Sequence, residues 1–178
     1  MEIFEAIKSR HSTRAFQRRD LPADALQRIL EAADNAPSAG NRQAYEIVLV
    51  RDEDRKRRLA AAAWDQTFIA QAPVALVFLA APDRNRDRYR ERGEQLYCVQ
   101  DATIACAYAE LAATALGLSC CWVGAYDDAA VAGAVGATGT LRPVAILPIG
   151  YAAEDPGLRP RRLLSDLVHD EVVTKKRG

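Results

Sequence analysis

The sequence predicts an α+β protein, and three observations predict it. Two amphipathic helical patterns precede the first strand pattern. Strand and helix patterns then alternate too irregularly for a repeating βαβ winding. One later segment, Leu96–Leu116, is apolar or small on nearly every face. The chain of 178 residues suits a single domain spanning 1–178.

The elements follow in chain order. Met1–Arg10 places Ile3, Phe4 and Ile7 at helical spacing, and Pro22–Asn35 repeats the pattern with Leu26, Ile29, Leu30 and Ala33. Pro22 sits near the first turn, where a missing N–H costs little. Turn formers from Ala36 to Asn41 end that helix. Glu46–Arg51 reads as a strand, Asp52–Ala63 as a charged surface helix, and Pro73–Ala80 as an inner strand. Asp83–Glu94 interleaves arginines with acids, which suits a solvated helix or loop. Leu96–Leu116 must be buried all round, and a chain this short rarely surrounds a five-turn helix alone. A second subunit is therefore expected on one side, with alanines allowing close approach. Gly117 is placed to cap that helix. Ser119–Gly124 reads as a strand, Asp127–Val135 as a short helix, Arg142–Gly150 as the last long strand, and Leu163–Val168 as a final helical turn or two.

Bulk properties exclude several function classes. Lys plus Arg number 24 and Asp plus Glu number 24, so no net field draws the protein to nucleic acid or to an anionic membrane. No apolar run reaches the roughly 18 residues of a membrane span, and Met1–Arg10 lacks the apolar core of a secretory signal. A cytoplasmic location is expected. Cys98, Cys106, Cys120 and Cys121 lie in apolar surroundings without metal-ligand spacing, so they read as reduced core thiols. With only two histidines, His11 and His169, a dedicated metal site is not expected.

Three polar clusters carry possible chemistry. Arg10-His11-Ser12-Thr13-Arg14 sets two guanidiniums and two hydroxyls where a helix gives way to extended chain, a combination suited to phosphate. Taken alone it also suits a solvated basic turn. Pro37-Ser38-Ala39-Gly40-Asn41-Arg42-Gln43-Ala44-Tyr45 combines small residues with two amides, which would let backbone approach a planar ligand and read its edge. A plain helix-to-strand connection explains it equally. Arg159-Pro160-Arg161-Arg162 is a second possible phosphate clamp, or exposed charge.

Together these clusters resemble the nitroreductase-like FMN-dependent oxidoreductase family. Its opening Arg-Arg-Ser-x-Arg-x-Phe signature is matched by Arg10-His11-Ser12-Thr13-Arg14-Ala15-Phe16. Its Ala-Pro-Ser-x-x-Asn-x-Gln-Pro-Trp signature is matched at Ala36, Pro37, Ser38, Asn41 and Gln43, while Ala44 and Tyr45 depart from it. Gly117-Leu118-Ser119-Cys120-Cys121-Trp122-Val123-Gly124 is similar to the later Gly-Leu-Gly-x-x-Trp-x-Gly signature, and Pro148–Tyr151 with Arg159–Arg161 and Leu167–His169 resemble the closing stretch. The resemblance spans roughly residues 2 to 170.

It implies a mostly antiparallel sheet flanked by helices, in an intertwined homodimer with FMN at the interface. Arg10, Ser12 and Arg14 would hold the phosphate and ribityl chain, joined by Arg159 and Arg161, with His11 meeting the flavin through its backbone. Val123 and Gly124 would face the ring edge with main-chain amides, and Gln66 would approach the pyrimidine edge. Pro37, Ser38, Ala39, Asn41 and Gln43 would arrive from the partner. The implied activity transfers hydride from NADH or NADPH through FMN to a nitroaromatic, quinone or other small oxidised acceptor, which explains the absence of an acid-base dyad. The alternatives are a non-catalytic flavin-binding or regulatory module, and a specialised dehalogenase or flavin-fragmenting relative.

Overall fold

Strand β2 (Val74–Ala80) forms the centre of the molecule, and its continuous apolar run is explained by cover on both faces. Val74, Leu76 and Phe78 point into one core, whereas Ala75, Val77 and Leu79 point into the other. The computed structural model describes residues 1–155, 157 and 160–173. Strands β1 (Tyr45–Val50), β2, β3 (Ser119–Cys120) and β4 (Arg142–Gly150) make one antiparallel sheet in the order β1-β2-β4-β3.

Helices α1 (Ile3–Ser9) and α2 (Ala23–Asp34) precede the sheet, as their spacing predicts. From α2, Leu26, Ile29 and Ala33 enter the first core together with Ala102, Ala105, Cys106, Ala109 and Ala113 of α6 (Cys98–Ala115). The alanines admit the two helices and the strands to one compact layer. On the opposite face α3 (Glu53–Ala62), α4 (Phe68–Gln71) and α7 (Asp128–Val135) cover the second core with Leu59, Phe68, Ile69 and Val131. Asp52 and Asp127 cap α3 and α7 by accepting the N–H groups of Arg55 and Ala130. Helix α5 (Asp83–Arg92) runs through a π turn, Gly93–Tyr97, into α6, and α8 (Leu164–Leu167) follows the last strand.

One expectation needs correction. The strand expected over Ser119–Gly124 pairs regularly only at Ser119–Cys120, then touches β4 again where Val123 and Ile146 exchange both hydrogen bonds. The register is unbroken between these points, so Cys121 stands opposite Pro148. That pair falls at a hydrogen-bonding position, and proline brings no N–H to it. Helix α6 is covered on one side by α2 and the sheet and leaves Gln100, Thr103 and Tyr108 exposed, as expected of a helix that one chain cannot surround. Helix α1 likewise buries only Ala6, while Phe4 is 82% exposed and Ile3 and Ile7 are exposed beside it.

Candidate functional site

At Arg10 the backbone leaves α1 for an extended conformation, and the following residues dock along the end of the sheet. Ser12 forms a parallel bridge with Cys120, Thr13 donates its N–H to Cys120 O at 3.0 Å, and Phe16 bridges to Ala152. Gly150 makes this docking possible, because a Cβ there would lie 2.8 Å from Pro73 Cδ and 3.0 Å from Phe16 Cδ1. The alternation of an extended chain sets Ser12 and Arg14 on the side away from the fully buried Thr13.

The polar groups of this segment have unequal freedom. Arg10 donates to Glu110 Oε1 at 3.2 Å, so its guanidinium is committed to α6. His11 Nδ1 lies 2.8 Å from Ser9 O, and its Nε2 is buried with no hydrogen-bond partner among the described residues. The Ser12 side chain lies beside Cys121 and works against the upward shift of its thiol. Arg14 donates its backbone N–H to Glu154 at 2.7 Å. Its guanidinium carries no ion pair among the described residues and projects from an exposed residue.

The thiols beneath this segment are buried, which favours their protonated form. Burial pushes Cys106 and Cys120 well above the usual thiol range, and the charge of Glu110 adds to the effect. Burial raises Cys121 as well, against the opposing pull of Arg14 and of Ser12.

At the far end of β3, Val123 gives its N–H to Ile146 O at 2.9 Å. It therefore has no main-chain donor to offer a ligand, and the expected pair of amides narrows to Gly124, which is exposed and whose N–H has no acceptor among the described residues. Gln66 Nε2 donates to Ala63 O at 2.9 Å and to Ala125 O at 3.2 Å. Gln66 thus ties the turn after α3 to the loop after Gly124, and its amide nitrogen is engaged in that tie. Trp64 and Asp65 in this turn both have left-handed backbone, φ 57° and 59°.

The segment Pro37–Gln43 lies elsewhere, against α5 and α6. A 3₁₀ turn at Ala39–Asn41 is followed by Gln43, and Gly40, Asn41 and Gln43 all have positive φ, at 56°, 57° and 42°. The Ser38 hydroxyl accepts the Gln43 N–H at 3.0 Å, and Gln43 Nε2 donates to Asn41 Oδ1 at 2.7 Å and Asn41 O at 2.6 Å. Gln43 Nε2 is therefore engaged with Asn41, while Asn41 Nδ2 and Gln43 Oε1 make no hydrogen bond among the described residues. Arg42 reaches out to α5, donating to Arg84 O at 2.7 Å and pairing with Asp87 at 2.5 Å. Asp101 of α6 accepts the N–H groups of Ala39 at 2.8 Å and Ala44 at 3.3 Å. A cavity of about 490 Å³ opens here, lined by Pro37, Ser38 and Ala39 on one side and by Tyr97, Gln100, Thr103 and Ile104 on the other.

Within one chain the expected residues thus fall into two groups. Ser12, Arg14, Gly124 and Gln66 border the β3 end of the sheet, and Pro37–Gln43 borders α6, with no hydrogen bond joining the groups among the described residues. Arg161 is exposed and makes no hydrogen bond with Arg10, Ser12 or Arg14, while Arg159 lies outside the described residues. The donors left over fit FMN, with a free guanidinium for the phosphate and an exposed, unpaired N–H at a residue without a side chain for the ring edge. Sequence reasoning missed Asp101 and Glu110. Their signal was present, since they are the only charged residues between Val99 and Leu116.

Comparison with known proteins bears on the family and the fold. The family model described as Nitroreductase family matches residues 7–69 and 62–151. The chain is 31% identical over 163 residues to a Methanothermobacter thermautotrophicus protein carrying the provisional name NADH dehydrogenase/NAD(P)H nitroreductase, covering 89% of this chain and 82% of that one. It is 27% identical over 183 residues to an FMN reductase [NAD(P)H] of Bacillus subtilis, covering 96% and 74%. In fold it is similar to an NADPH:FMN oxidoreductase from Vibrio harveyi solved with NAD+, with a TM-score of 0.90 at 23% identity over 98% of this chain and 79% of that one.

Proposed function

Because the chain belongs to the nitroreductase family, we propose that it is an NAD(P)H-dependent FMN oxidoreductase acting as a homodimer on a small oxidised acceptor such as a nitroaromatic or a quinone. The single observation that carries the reading is the docking of Ser12–Arg14 onto Cys120, which sets the Arg14 residue, its guanidinium without an ion pair among the described residues, on the β3 segment that leads on to the Gly124 N–H.

When bound, FMN supplies the redox chemistry, taking a hydride from NADH or NADPH and passing reducing equivalents to the acceptor. The work of the chain is binding and orientation. In this reading Arg14 and Ser12 hold the phosphate, Arg159 and Arg161 add charge, and Arg10 orients the segment through Glu110. The Gly124 N–H donates to the ring edge, where such a donor stabilises developing negative charge. No buried acid-base pair is required of the protein.

The dimer completes the site. The exposed apolar faces of α1 and α6, with Leu163, Leu164, Leu167 and Val168 near the C-terminal end, support a second copy covering them. Pro37, Ser38, Ala39, Asn41 and Gln43 then serve the partner's cofactor, which accounts for their distance from Ser12 and Arg14 in one chain. We read the chain as one domain built on this single sheet. No helix among the described residues is long and apolar enough to cross a membrane. The four free cysteines support a cytoplasmic setting, where thiols stay reduced.

An absorption spectrum of the purified protein tests the reading. A yellow protein bleached anaerobically by NADH or NADPH supports it, and Arg14→Ala and Arg161→Ala should each weaken flavin retention. A protein that takes up no FMN refutes it, and one that binds FMN without reduction by either nicotinamide points to a non-catalytic flavin module.

A further inference from the structure

Asp101 is 2% exposed on α6, and its two oxygens receive three donors. Oδ1 accepts the Ala39 N–H at 2.8 Å, and Oδ2 accepts the Ala44 N–H at 3.3 Å and Asn85 Nδ2 at 3.3 Å. One carboxylate therefore holds both ends of the loop and ties them to α5. A carboxylate suits the place because it only accepts, whereas an amide would turn an N–H toward one of these donors.

The loop needs such an anchor. Asn41 and Gln43 hold left-handed backbone, which in residues other than glycine persists only where the surroundings over-determine it. The side chains of Ser38, Asn41 and Gln43 bond one another and do not fasten the loop to the body of the protein. Besides Asp101, its tethers are Arg42 on α5 and the Ala44 carbonyl, which accepts the Ala81 N–H at 2.9 Å. Asp101 also lines the 490 Å³ cavity together with Pro37, Ser38 and Ala39.

We propose that Asp101 is a positioning residue for flavin binding, fixing from inside one subunit the backbone path of the loop that this subunit presents to its partner's cofactor. The inference rests on the FMN reading above and deepens it. Asp101 itself touches no cofactor and acts through the Ala39 and Ala44 amides.

The test compares the full-length parent, Asp101→Asn and Arg14→Ala. FMN is titrated into the flavin-free proteins by fluorescence quenching, and turnover is measured at low and saturating FMN. Asp101→Asn should raise the dissociation constant for FMN by about tenfold or more. At saturating FMN its turnover should return toward the parent's, and its circular dichroism without FMN should match the parent's, which separates a displaced loop from an unfolded fraction that FMN would refold by mass action. Hydrogen exchange on the parent provides a reading independent of the variant's folding. The Ala39 and Ala44 amides should be protected and should become more so when FMN is added. If Asp101→Asn binds FMN as tightly as the parent while Arg14→Ala does not, the inference alone is overturned. Ala39 and Ala44 amides that exchange freely, or are indifferent to FMN, overturn it as well. A parent that takes up no FMN overturns both the inference and the reading beneath it.

Discussion

Arg10 and Glu110, one hundred positions apart, meet at 3.2 Å and fasten the N-terminal segment to the helix that carries the exposed face. Both side chains are mostly covered, so the pair is worth more than a surface ion pair and leaves a poorly solvated charge when one partner is removed. Glu110→Gln should lower stability by about 1–2 kcal/mol, read as a shift of the denaturant midpoint at unchanged slope. An unchanged midpoint would assign the segment's docking to its backbone bonds alone.

Gly40 has φ 56°, and an added Cβ would collide with the Tyr89 hydroxyl and come within 2.9 Å of Arg88 Nη1. Gly40→Ala combines left-handed strain with this crowding and should cost about 1–2 kcal/mol. Flavin affinity should fall with it, because the loop path changes. Differential scanning calorimetry alongside FMN titration checks both effects.

Alkaline pH should destabilise the protein. Burial raises Cys106, Cys120 and Cys121 above their ordinary values, and it raises Tyr45 and Tyr126 as well, with nearby acids adding to the shift. A thiol or phenol raised in the folded state stays protonated there after its unfolded counterpart has ionised. The unfolded state then binds fewer protons, so stability falls as pH climbs through the unfolded thiol value of about 8.5 and continues to fall through the unfolded phenol value of about 10. Denaturant midpoints between pH 7 and 10.5 should decline steadily, and a flat profile would contradict the buried, protonated assignment. At pH 8 a thiol reagent should label the native protein slowly and all four cysteines rapidly in denaturant.

The uncovered apolar faces make a further expectation. If the protein is the proposed homodimer, a charge at Tyr108 of α6, as in Tyr108→Glu, or at Phe4 of α1, as in Phe4→Glu, should shift it toward monomer in sedimentation velocity at micromolar concentration. In the proposed arrangement the site draws on both chains, so flavin should be lost in parallel with dissociation. A variant that becomes monomeric yet retains FMN would place the whole site within one chain.

Much of this was legible in the sequence because periodicity reports burial. The all-apolar run of β2 and the stripe of α2 at Leu26, Ile29 and Ala33 fall where the pattern puts them. The break after Cys120 was not legible from its own residues, since its cause is Pro148 on the neighbouring strand. Helix α4, with four residues, is too short to show a period. The polar clusters were visible as composition, but the identity of their partners was not. Arg10 looked as free as Arg14 until α6 brought Glu110 to it, and the Gln43 amide nitrogen looked available until the turn at Gly40 directed it onto Asn41.

The bridge from Ser12 to Cys120 has a consequence for how the protein fails. Strand β3 closes one margin of the sheet with only two regular pairs, and the chain from Ser12 to Phe16 lies along that margin like a hem. Proteolytic clipping anywhere between Arg10 and Phe16 would unstitch it and bare main-chain donors and acceptors beside the buried Cys120 and Cys121. Bared margins of this kind recruit strands from other molecules, so nicked protein should aggregate before it unfolds.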